Sequence, residues 1–68
     1  MFDIKVLIVG CGSIGRRHAR NAYKLGAQVS LCDINKDRMN AFSSEVKARE
    51  CYTDYKLAAS VSSVDAVI

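Results

Sequence analysis

Apolar positions along the chain follow two periods in turn. In IKVLIVG, residues 4 to 10, the run is β-branched and almost continuously hydrophobic, which predicts a strand buried on both faces of a parallel sheet. From 13 to 25 the spacing becomes helical. Ile14, Gly15, His18, Ala19, Ala22 and Leu25 gather on one side, and Arg16, Arg17, Arg20, Asn21 and Lys24 on the other. Gly26 follows the last periodic residue, where a left-handed helix end favours glycine. AQVSLCD, residues 27 to 33, reads as a second strand. Asn35 is a cap candidate ahead of Met39, Phe42 and Val46, whose spacing makes the apolar stripe of a second helix. ARECY predicts a short third strand. Asp54 is placed to cap a brief helix with Leu57, Ala58 and Val61 inward, and VDAVI opens a fourth strand.

The order β-α-β-α-β-α-β predicts an α/β fold: right-handed crossovers, a doubly wound parallel sheet and helices on both faces. With strand order 3-2-1-4, the strand beginning near Val64 lies beside the one ending at Val9. At 68 residues, a domain buries only about 60% of its unfolded surface and is marginal alone. The apolar run also stops at Ile68 without a turn or polar tail. Residues 1–68 are therefore expected to be the N-terminal part of a dinucleotide-binding domain within a larger protein. A 68-residue peptide with that strand edge bare is expected to fold poorly or aggregate.

The glycines between first strand and first helix carry the chemistry. Gly10, Gly12 and Gly15 spell G-x-G-x-x-G, and Asp33 ends the second strand 18 residues beyond Gly15. Gly10 permits the tight turn, Gly12 leaves room for a pyrophosphate against the backbone, and Gly15 lets helix and strand approach closely. The helix N-terminus offers free N–H groups and partial positive charge to the phosphates. Asp33 can accept both hydroxyls of an adenosine ribose. The candidate cofactor-binding residues are Gly10, Cys11, Gly12, Ser13, Ile14, Gly15, Asp33, Ile34 and Arg38. NAD is expected over NADP, because a 2′-phosphate at Asp33 meets like charge, only partly relieved by Lys36 or Arg38. No G-K-[ST] of a P-loop is present, and a methyltransferase G-x-G-x-G does not fit. A flavin-binding version of the unit remains open, since Ala19 is small where that version wants it, although Glu is then usual in place of Asp33.

Charge and cysteine usage narrow the partners. A net charge of +3, from 10 Lys and Arg against 7 Asp and Glu, falls far short of a nucleic-acid footprint. The N-terminus is acidic, and its apolar run is too short to span a bilayer. Cys11, Cys32 and Cys51 form no CxxC pair and sit among apolar neighbours, so reduced, buried thiols and a cytoplasmic location are expected. No catalytic or metal-binding residue is expected here. His18 shares the helix face turned to the sheet and is expected to be structural, and Cys11 a small apolar filler.

KVLIVGCGSIGRRHAR, LCDINKDRMNAF and CYTDYKLAASVSSVDAVI together resemble the N-terminal Rossmann portion of the Gfo/Idh/MocA oxidoreductases, the glucose-fructose oxidoreductase and inositol dehydrogenase group. Its distinctive element is G-x-G-x-x-G-x-x-H, at Gly10, Gly12, Gly15 and His18. The resemblance covers essentially the whole chain. It implies a two-domain, homo-oligomeric NAD(P)-dependent dehydrogenase or reductase acting on a sugar, cyclitol or sugar nucleotide. The family's catalytic lysine belongs to an E-K-P motif beyond this chain, and Lys56 does not inherit its role. Two non-redox readings share the same residues: a glycosidase using NAD transiently and a dinucleotide-sensing regulator.

Overall fold

A computed structural model describes residues 4–61 and 63–68, leaving aside the side chains of residues 59 and 61. Strand β1, Lys5–Val9, leads into helix α1, Ser13–Lys24, and strand β2, Gln28–Cys32. Helix α2, Lys36–Ser43, runs on into a 3-10 turn at Ser44–Val46. Strand β3, Cys51–Tyr52, helix α3, Tyr55–Val61, and strand β4, Ala66–Val67, complete the alternation. All pairings are parallel and the order is β3-β2-β1-β4, the doubly wound arrangement. β1 sits centrally, with Val6 opposite both Val29 and Ala66.

Alternation along β1 divides the core. Val6 and Ile8 face α1 and α2, joining Val29, Leu31, Ala19, Met39, Phe42 and Val46. Leu7 faces the other way, with Cys32 and Ala58 of α3. Burial of consecutive residues on both faces explains the continuous apolar run. Chain direction across the sheet reverses between β1 and β4, so the switch point lies beside the C-terminal end of β1, where an open α/β sheet receives its ligand.

Local chemistry sets the element ends. Gly10 and Gly26 have φ of 92° and 91°, conformations that glycine adopts freely. Asn35 Oδ1 accepts from the Arg38 N–H at 3.0 Å and caps α2. Asp54 Oδ1 accepts from the N–H groups of Lys56 and Leu57 at the start of α3. Replacing Asn35 with alanine is expected to cost about 1 kcal/mol, the usual worth of such a cap, read as a lowered midpoint in urea. An unchanged midpoint would show that the side-chain bond contributes nothing.

The inward face of α1 matches the expected one at Gly15, Ala19 and Ala22 and departs from it at Ile14, His18 and Leu25. Ala19 is buried and Gly15, Arg16 and Ala22 are half-buried, whereas His18 is exposed and Ile14 and Leu25 are 74% and 83% exposed. The contact face is rotated toward Arg16, because its smallest residues, Gly15, Ala19 and Ala22, let the helix lie closest to the sheet. His18 is thus a surface residue rather than a packed one. In α3, Ala58 is buried but Leu57 is exposed, and the inward placement expected of Val61 lies outside the described side chains. Cys11 and Cys32 are buried free thiols. Cys51, expected to be buried, is exposed because β3 is a two-residue edge strand.

Candidate functional site

The glycine turn carries the chain from β1 to α1. The Gly10 N–H donates to the Cys32 carbonyl at 2.7 Å, tying the turn to the end of β2. A Cβ on Gly15 would overlap the Gly10 carbonyl, its carbon 2.8 Å away, so α1 can lie this close only with glycine there. Gly12 contrasts with it. A Cβ there would meet nothing within 4 Å, and Gly12 is the N-cap residue of α1 with no side chain to satisfy the first turn. The N–H groups of Ser13, Ile14 and Gly15 therefore have no intrahelical acceptor. Acidic residues usually gather at such an end, but the first turn of α1 has none. A positive helix end with open space over Gly12 fits a phosphate-bearing ligand.

Asp33 follows β2 directly and is 5% exposed. Its Oδ2 accepts from the Cys11 N–H at 2.8 Å, and its Oδ1 from the Asn35 N–H at 2.9 Å. The Arg38 guanidinium donates to both oxygens, from Nε at 3.0 Å and from Nη2 at 3.1 Å. Burial pushes the carboxyl pKa up, but the N–H groups of Asn35 and Cys11 and the Arg38 cation outweigh it and hold Asp33 below its ordinary value. Asp33 is therefore a carboxylate at neutral pH. Acid and glycine turn form one hydrogen-bonded unit joining two strand ends. Burial, and then the Asp33 charge, push the Cys11 thiol up to about 11. It stays protonated at neutral pH, which makes it packing rather than a nucleophile.

The structure thus gathers Gly10, Cys11, Gly12, Ser13, Ile14 and Gly15 at the end of β1, with Asp33, Ile34 and Arg38 across from them at the end of β2. Ile34, 91% exposed, and Ile14 leave apolar side chains bare in this region. Sequence reasoning found the acid and the loop but not the bonds between them. The Cys11 N–H to Asp33 contact spans 22 residues and has no local signal. The pairing of Arg38 with Asp33 was also missed, although a cation one turn into a helix behind a strand-end acid is a readable hint. Of the basic residues on α1, Arg20 pairs with Glu45 and stacks over Phe42, while the Arg16 Nε is buried without a hydrogen-bond partner among the described residues. No group of three or more His, Cys, Asp or Glu that could hold a metal occurs among the described residues. Nor is any described helix long and apolar enough to cross a membrane.

Residues 2–68 match the family model of the alanine dehydrogenase/PNT C-terminal domain. No curated protein and no solved structure gives a significant match. The family match overturns the resemblance to the Gfo/Idh/MocA oxidoreductases. The residues behind that resemblance answer to demands shared across the fold: a tight turn, a close helix approach and an acid at a strand end. Its one distinctive addition, His18, is exposed on the surface of α1. The expectation of a carbohydrate-like substrate rested on the same resemblance and loses its support. Spanning nearly its full length with the family's model and folded as a parallel α/β sheet, the chain belongs to the alanine dehydrogenase/PNT C-terminal domain family, an NAD(P)-binding domain of oxidoreductase type.

Proposed function

We propose that the chain binds NAD in preference to NADP, with the pyrophosphate over Gly12 at the start of α1 and the adenosine ribose at Asp33. The observation that carries this reading is the bond from the Cys11 N–H to Asp33 Oδ2. It couples the phosphate turn to the ribose acid, so the two subsites keep a fixed spacing, as a rigid dinucleotide site requires. Gly10 and Gly15 set the turn. The N–H groups of Ser13 and its neighbours meet the phosphates, and Ile14 and Ile34 give apolar cover to the cofactor. A dinucleotide held there would be the carrier of hydride. No residue of this chain is assigned to that step, and the chain's own work is to bind and orient. On this reading residues 1–68 are the N-terminal part of a dinucleotide-binding domain, with four strands of its doubly wound sheet.

Replacing Asp33 with serine tests the assignment. Losing hydrogen bonds to a charged group is expected to weaken NAD by about 1.5–3 kcal/mol. The same change removes the repulsion against a 2′-phosphate, so NADP should weaken less or gain. Calorimetry with both cofactors at one salt concentration is expected to show the preference moving toward NADP. A fixed ratio of dissociation constants would mean that Asp33 does not read the ribose.

A further inference from the structure

The Asp33 carboxylate is fully engaged without any ligand. Its inner contacts are backbone N–H groups, from Cys11 and Asn35, fixed by the turn and by the start of α2. The remaining contacts come from Arg38, whose side chain is 46% exposed and covers the carboxylate from the solvent side. Of the four donors, only the guanidinium rides on a flexible side chain. The Arg38 backbone is itself pinned, because its N–H donates to the Asn35 cap.

We propose, resting on the dinucleotide reading above, that Arg38 is a displaceable cover on the ribose-binding carboxylate and thereby limits the site's preference for NAD. Two ribose hydroxyls can donate to Asp33 only along the edge that the guanidinium now fills, so NAD binding exchanges a bidentate ion pair for two hydroxyl hydrogen bonds. Asp33 keeps its backbone donors throughout and does not lose its orientation. Once displaced, Arg38 remains tethered one turn into α2. From there it offers a cation to a 2′-phosphate, with the fork geometry that suits phosphate oxygens. One side chain thus works against NAD and in favour of NADP.

The test is Arg38→Met in the full chain, which keeps an unbranched stem and good helix propensity while removing the cation. Fluorescence titrations with NADH and NADPH are compared with thermal unfolding. Freed of the guanidinium that competes with the ribose hydroxyls for a carboxylate only 3% exposed, Asp33 should hold NADH roughly threefold or more tighter. NADPH should bind at least threefold more weakly. If Arg38 merely held α2 in place, both affinities would fall together and the Tm would drop. That result, or unchanged affinities, would overturn the proposal while leaving the site assignment standing. A failure of NADH to bind the unaltered chain when it shows a cooperative thermal transition would overturn the site assignment and this proposal with it.

Discussion

Replacing Gly15 with alanine is expected to lower the Tm by about 10 °C. In an exposed helix the change would add about 1 kcal/mol of stability through propensity. Here the new methyl group would overlap the Gly10 carbonyl, a backbone group that no rotamer change can move aside. Forcing α1 away from β1 strains the contact that seats Ala19 against Val6 and Ile8, at a cost near the upper end of overpacking penalties, about 3 kcal/mol. The clash wins by about 2 kcal/mol, which in a chain of this size corresponds to the stated shift. Differential scanning calorimetry reads it directly. A Tm at or above that of the unaltered chain would mean that α1 does not lie against the glycine turn.

Gly12→Val should do the opposite: spare the fold and abolish binding. Gly12 has φ of −73° and ψ of −174°, extended values open to any residue, and free space where its Cβ would stand. Stability should therefore fall by no more than about 1 kcal/mol, valine being a poorer N-cap than glycine. That free space is where the pyrophosphate must approach the backbone. Its loss is expected to weaken NADH by about a hundredfold or more, nearly 3 kcal/mol, in a fluorescence titration. Undiminished binding by the folded variant would place the cofactor elsewhere. Taken as a pair, Gly12 and Gly15 separate room for a ligand from room for a helix.

Features governed by near neighbours were legible in the sequence. Gly10 and Gly26 adopt positive φ, Asn35 and Asp54 cap their helices, and the Met39, Phe42 and Val46 stripe is buried, each following from chemistry within a few residues. Strand order 3-2-1-4 followed from alternation and crossover handedness. The phase of α1 followed only in part: Gly15, Ala19 and Ala22 turn inward as expected, but the same arc took in Ile14, His18 and Leu25, which close packing on a sheet leaves outside in favour of the small residues. Leu57 was misplaced for a related reason: a seven-residue helix contacts the sheet mainly through Ala58. Side-chain partners across elements were beyond reach, since nothing local to Asp33 announces the Cys11 N–H. Family membership was misjudged where a generic motif was read as a specific one.

Amide shift mapping on the isotopically labelled full chain, titrated with NADH, tests the central claim most directly. If the turn and the strand-end acid form one dinucleotide site, perturbations saturate together and concentrate at residues 10–15 and 33–38. The polar cleft lined by Lys5, Ser30, Arg49 and Glu50 stays unperturbed. Shifts centred on that cleft, or none at saturating NADH in a sample with the dispersed amide spectrum of a folded chain, would contradict the account.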